Sequence, residues 1–184
     1  MEDIVKNLEL GESEEKIKIL ESLAFTEDIS LVQKMINCLD DPDIRVRGEA
    51  FSSLILNKNE ISDLLIQSLK DSRKNIRGFV TLVLANRNDL NAISKIAQLV
   101  NDERSMVRAC ALGALGHLKA KDEKDVIHNC ILDSNLEVKK SALQAMINLE
   151  DVISEEECLE ISKNADPELE QLVVKLKKSG PEGI

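Results

Sequence analysis

Apolar positions recur along this chain in a helical rhythm that returns as a block. One long side chain per block marks the register: Lys16, Arg47, Arg77, Arg108, Lys139 and Glu170, at spacings of 31, 30, 31, 31 and 31 residues. Directly before these anchors stand Glu15, Val46, Ile76, Val107, Val138 and Leu169. Three residues after them stand Ile19, Ala50, Val80, Ala111, Ala142 and Val173, and seven after them Leu23, Leu54, Leu84, Leu115, Met146 and Lys177. Such a stripe lies on one face of an α-helix and would be split between the two faces of a strand. It defines a helix B in every block. Two further columns precede it. Twelve residues ahead of the anchor are Ile4, Met35, Leu65, Ile96, Ile127 and Cys158; eight ahead are Leu8, Leu39, Leu69, Val100, Ile131 and Ser162. Being four apart, they share one face of a helix A. A fixed period of this size signals repeats that bury their apolar faces against their neighbours.

The pattern predicts helices over 2–9, 13–25, 28–40, 43–57, 60–70, 74–87, 89–101, 104–118, 122–132, 135–149, 154–163 and 167–178. Their short linkers suit antiparallel helical hairpins. A column six before the anchor, Asp41, Asp71, Asp102, Asp133 and then Asn164, falls at the expected start of helix B and predicts N-terminal capping. Pro42 and Pro167 fit the first turn of a helix, and Ser134 with Glu137 predicts a capping box. The end blocks differ. Leu10 replaces the Asp and Glu15 the apolar residue in the first, while Lys177 and Lys178 make the last one polar on its outer side, as terminal repeats require. The expected fold is all-α, an α-solenoid of about six helical hairpins. It should form one domain over 1–178 with a flexible tail over 179–184.

The recurring Leu-x-Asp-x-x-x-x-Val/Ile-Arg motif carries a resemblance. It reads Leu39-Asp40-Asp41 to Val46-Arg47 and Leu69-Lys70-Asp71 to Ile76-Arg77, with Val100-Asn101-Asp102 to Val107-Arg108 and Ile131-Leu132-Asp133 to Val138-Lys139 as variants. In this the chain resembles HEAT-repeat proteins, in particular the short units of the phycobilisome-lyase-like group. The resemblance implies a ladder of Asp–Arg hydrogen bonds between residues six apart: Asp41 with Arg47, Asp71 with Arg77, Asp102 with Arg108, and Asp133 with Lys139. It speaks for a fold and leaves function open, because such folds host many unrelated binders.

Composition narrows the chemistry. The chain is 43% hydrophobic and 32% charged, with three Phe and no Trp or Tyr, so its core rests on Leu, Ile, Val, Ala and Met. Phe25, Phe51 and Phe79 fall at or beside helix-core positions. No apolar run is long enough to span a bilayer. The acidic start, Met1 to Ile4, is unlike a secretory signal, and a cytoplasmic location without membrane partners is expected. Cys38, Cys110, Cys130 and Cys158 are widely spaced and read as small buried apolar residues.

Net charge is −10, but all seven Arg lie between Arg45 and Arg108. Acidic ends and scarce aromatics disfavour nucleic acid. His117 precedes Leu118 and His128 precedes Asn129, so the His-Glu pairs of an iron site are missing. No phosphate loop or catalytic constellation occurs. Neither a cofactor nor a catalytic residue is expected. Outside the ladder, Arg45, Arg73, Lys74 and Arg104 stand near the starts of successive B helices without a partner encoded by the repeat. Stacking would set them in a positive ridge suited to an acidic segment. The function expected is therefore a non-catalytic scaffold or adaptor that holds another protein on the helix-B face of its central repeats. Two alternatives stand beside it: a bilin lyase or isomerase subunit, for which Cys110 is the candidate thiol, and a nucleic-acid binder.

Overall fold

The computed structural model describes residues 2–163 and 165–179. Asn164 of the Asp column and tail residues 180–184 lie outside the described residues. Contacts divide the chain into two compact units, Met1–Asp89 and Leu90–Ile184. The first holds α1 (Glu2–Leu10), α2 (Ser13–Leu23), α3 (Ile29–Asn37), α4 (Ile44–Leu56), α5 (Ser62–Ser68) and α6 (Lys74–Asn86). The second holds α7 (Ile93–Gln98), α8 (Ser105–His117), α9 (Lys124–His128), α10 (Leu136–Asn148), α11 (Glu155–Ser162) and α12 (Pro167–Ser179). No strand occurs among the described residues, and the fold class is an all-α solenoid of helical hairpins. The A helices are shorter than their periodicity suggested. Tight 3₁₀ turns at Cys38–Asp40, Leu90–Ala92, Leu99–Asn101 and Lys121–Glu123 take over their ends.

The repeat columns are the core. Val46, Ile76, Val107 and Val138 expose no surface, nor do Leu54, Leu84, Leu115 and Met146. Ala50, Val80, Ala111 and Ala142 between them are equally buried. Helix A contributes Met35, Leu65, Ile96 and Ile127, also without exposed surface. Each large member contributes about 1.5–3 kcal/mol by leaving water. The small +3 column lets B helices approach closely: α4 packs on α2 and on α6, and α10 packs on α8 and on α12.

The Asp column does not cap helix B. The N-caps are two residues later, at Asp43 for α4 and Asn135 for α10. The Asp side chains instead close the preceding turn, accepting the N–H of Asp43, Arg73, Arg104 and Asn135 at 2.8–2.9 Å. The box predicted at Ser134 is replaced by the Asn135 cap, and a true capping box joins Ser154 and Glu157 at the start of α11. Pro42 sits in the turn before α4, whereas Pro167 opens α12.

Three B helices end alike. Asn88, Lys119 and Glu150 adopt φ of 58°, 54° and 56°. Behind them Asp89, Ala120 and Asp151 donate N–H to Leu84, Leu115 and Met146 carbonyls at 3.0, 3.1 and 2.9 Å. This is the Schellman closure, built without the usual glycine. In the first unit the loop after α4 is clasped by Arg87, whose side chain is 8% exposed. Its guanidinium donates to the carbonyls of Asn57 and Asn59 and pairs with Asp89. Asn57, fully buried, donates in turn to the Thr26 carbonyl at 2.9 Å.

The glycines of α8 separate open surface from close packing. A Cβ at Gly113 meets nothing within 4 Å, whereas one at Gly116 lands 2.8 Å from the Ala145 Cα on α10. Gly113→Ala should therefore raise unfolding stability by about 0.5–1 kcal/mol. Gly116→Ala should lower it by about 1–3 kcal/mol through forced separation of α8 and α10. Urea denaturation of the two variants tests the contrast.

Candidate protein-interaction face

The turns between helices A and B bring the predicted ladder residues together in an unexpected register. Arg47 Nη1 donates to the carbonyls of Asp41 and Pro42 at 2.7 and 3.1 Å. Arg77 Nη1 does the same to Asp71 and Ser72, at 2.9 Å each, and Arg108 Nη1 to Asp102 and Glu103, at 2.9 and 3.4 Å. Residues six apart thus meet through the main chain and not through the carboxylate. The carboxylates of Asp41 and Asp133, already folded onto their own turns, face the cation of the block before them. Lys16 reaches Asp41 at 2.7 Å, and Arg108 Nε and Nη2 grip Asp133 in a two-pronged pair, 2.9 Å each. Arginine suits the position because one terminal nitrogen serves the turn while its other edge presents two parallel donors. Lys139 acts on Asp133 only through its charge. Lys140 instead binds Asp166 and Glu168 at 2.8 and 2.6 Å.

Burial opposes ionisation of Asp133, but the Arg108 pair, the Asn135 N–H and the nearby positive charges outweigh it and hold its pKa below the ordinary value. The same pair raises the pKa of Arg108.

The predicted ridge residues carry local partners that the periodicity did not reveal. Arg45 pairs with Asp43 at 2.7 Å and with Glu14. Arg73 pairs with Asp71 at 2.8 Å and donates to Asn37 Oδ1 at 2.9 Å. Arg104 lies 3.2 Å from Glu103. For Arg45 and Arg73 the cause is the turn itself, which sets an acid beside the backbone N–H so that the guanidinium folds back onto it. Bonding from Arg45 draws the Asp43 pKa well below its usual value, and bonding from Arg73 lowers that of Asp71. Lys74 is exposed at the first position of α6.

The phenylalanines are the second surprise. Phe25 is 74% exposed, and Phe51 and Phe79 are only half-buried. The last two meet edge to face, centroids 6.5 Å apart at 66°, a favourable aromatic geometry. With Ile44, Arg47, Gly48 and Leu82 they line an apolar groove between α4 and α6. Ile44 is 71% exposed, and a Cβ at Gly48 would meet nothing within 4 Å. The aliphatic columns already fill the core, so bulky rings two or four residues after an anchor are left at its margin.

Cys38, Cys130 and Cys158 are buried as expected, and Cys110 is half-buried. Burial pushes the Cys110 thiol up to about 11. His128 Nε2 lies 2.6 Å from Glu157. Among the described residues, no group of three or more His, Cys, Asp or Glu could hold a metal ion, and no helix is long and apolar enough to cross a membrane.

A family model described as HEAT repeats matches residues 62–147. No curated protein matches the chain. Solved structures similar in fold include two engineered proteins from a structural genomics consortium, with TM-scores of 0.61 and 0.59 at 17% and 18% identity. The match covers 97% of this chain in both, and 98% and 97% of theirs. A designed armadillo repeat protein in complex with the peptide (KR)4 is also similar, with a TM-score of 0.56 at 17% identity over 96% of this chain and 98% of that one. These likenesses are likenesses of fold: a stack of helical repeats such as HEAT and armadillo proteins have.

The Arg108–Asp133 pair makes a pH prediction. Arg108→Met should cost about 2–3 kcal/mol by leaving Asp133 and two turn carbonyls without their donor. Because folding lowers the Asp133 pKa, its contribution is whole above the unfolded carboxylate value near ~3.9 and is lost as pH falls through the lower folded value. Urea titrations of both proteins at neutral pH and below that point should show the stability gap closing in acid.

Proposed function

We propose that this chain is a non-catalytic adaptor, cytoplasmic in setting, that holds a segment of another protein on its B-helix face. The observation that carries the reading is the groove of Ile44, Gly48, Phe51, Phe79 and Leu82, an apolar channel on a surface whose core is otherwise closed. Large side chains left half in water between two parallel supports favour docking of a partner's apolar residues. Lys74 lies on the same stripe of α6 as Leu82, eight residues away, and adds positive charge near one end. The exposed parts of Arg45 and Arg73 supply weaker charge in the first unit, since their own acids screen them, and Arg104 does so in the second. The complex of a similar designed repeat with (KR)4 supports peptide holding by this class of fold.

The lyase reading draws less support. The Cys110 thiol, raised by burial to about 11, leaves little nucleophilic thiolate at neutral pH. The nucleic-acid reading lacks stacking platforms beyond three Phe.

Gly48→Gln fills the groove from a site with open space above it and improves a helix-interior residue. Peptides selected from a displayed random library on the full chain should bind this variant at least about tenfold more weakly, with its thermal unfolding no lower than the parent's. Equal binding by both proteins would place the contact elsewhere and refute the groove. Retardation of duplex or single-stranded DNA at low salt would instead favour the nucleic-acid reading.

A further inference from the structure

The three anchor arginines use Nη1 identically, on the two carbonyls of their own turn, so their guanidinium groups share one orientation. In the second unit the other edge of Arg108 is filled by both oxygens of Asp133. In the first unit the residue that corresponds to Asp133 relative to Arg47 is Asp71, and its carboxylate is held by Nε and Nη2 of Arg73. Among the described residues, Nε and Nη2 of Arg47 have no acceptor. No buried side-chain donor is left unpaired among the described residues, so this edge faces solvent. Arg47 is also one of the residues that line the apolar groove of Phe51 and Phe79. The repeat running from Arg47 to Arg77 is the one shortened to 30 residues, which sets Asp71 24 residues after Arg47 instead of the 25 that separate Lys16 from Asp41 and Arg108 from Asp133.

We infer that the groove takes an acidic peptide segment, seating an aliphatic or aromatic side chain on Phe51 and Phe79 and an Asp or Glu carboxylate on the open Nε–Nη2 edge of Arg47. The chain itself displays the chemistry, since the same edge of Arg108 accepts a carboxylate with two 2.9 Å bonds. Two parallel donors match two carboxylate oxygens, and the fit is directional in a way a lysine could not reproduce. The acids in the turns before α4 and α6 are spoken for: Asp41 by Lys16, Asp43 by Arg45 and Asp71 by Arg73. Little local negative charge is therefore left to repel an incoming carboxylate. Lys74 reinforces the preference for an acidic ligand. This inference rests on the adaptor reading and specifies its partner.

The test uses peptides from a displayed random library, selected on the full chain and counter-selected on Gly48→Gln, then made synthetically with amidated C-termini and a fluorescein label. Anisotropy should show tight binders with Asp or Glu close to Leu, Ile, Phe or Met. Changing that acid to its amide should weaken binding about 10- to 100-fold, the worth of a charged hydrogen-bond pair. Added salt should weaken the acidic peptide more than the amide. In Arg47→Gln the acid and amide peptides should bind alike, which a merely structural role for Arg47 would not produce. Groove-dependent peptides whose acid and amide forms bind the parent equally would overturn this inference and leave the adaptor reading standing. So would binding that demands a phosphate or an unblocked C-terminal carboxylate. If no peptide is sensitive to Gly48→Gln, both readings fall. Sedimentation of the chain alone examines the rival occupant, a second copy: a monomer agrees with the inference, and a dimer abolished by Gly48→Gln overturns it. The amide substitution lies in the peptide, so the result stands even if Arg47→Gln fails to fold.

Discussion

A helical hairpin of about thirty residues cannot shelter its own apolar stripe, and everything else in this protein answers to that constraint. Val46 or Val138 becomes dry only when neighbouring hairpins close over it, within α2, α4 and α6 in one unit and α8, α10 and α12 in the other. Close approach is set by the small residues three after Arg47, Arg108 and Lys139, namely Ala50, Ala111 and Ala142. Once the stripes are joined, the turns at the ends of the helices come into line. Their main-chain carbonyls and carboxylates then need partners at the repeat spacing.

Arg108 meets that demand from both sides. One nitrogen of Arg108 holds the turn of its own block, and the opposite edge holds the carboxylate of the following block. A lysine can meet only half of it, since Lys16 binds Asp41 and bonds no turn carbonyl. The departure at Arg47 becomes intelligible in the same terms. With Asp71 taken by Arg73, the guanidinium keeps its structural hold on the turn while its second edge stays open, on a residue that lines the groove. A residue required for architecture is thereby left with two donors available for recognition, beside the aromatic pair that the aliphatic core has no room to enclose.

At the other ends of the helices, tertiary demands override local preference. Asn88, Lys119 and Glu150 hold left-handed backbone that glycine would adopt with less strain. They do so because the following residue must turn back to satisfy the carbonyl five residues upstream. Arg87 shows the same logic, a long cation drawn almost wholly inside to serve the carbonyls that close α4.

By itself the sequence determined the helical class, the period and the buried columns one before, three after and seven after the central anchors, because a 3.6-residue stripe of Leu, Ile, Val and Ala has one way to leave water. It also marked Arg47, Arg77 and Arg108 as equivalent. The groove and the pairing register were decided only by tertiary structure. Spacing showed that Asp102 and Arg108 are six apart, but not that a carbonyl would accept the bond while Asp133 took the charge. Periodicity placed Phe51 and Phe79 near the core, yet only packing shows that the aliphatic columns fill it first and leave the rings at the rim. The local partners of Arg45 and Arg73 were hidden for a related reason: a turn, with no period of its own, folds each side chain back on an acid two residues away. The single 30-residue spacing was the one legible trace of the open edge on Arg47. Its meaning depended on where Asp71 turned in three dimensions.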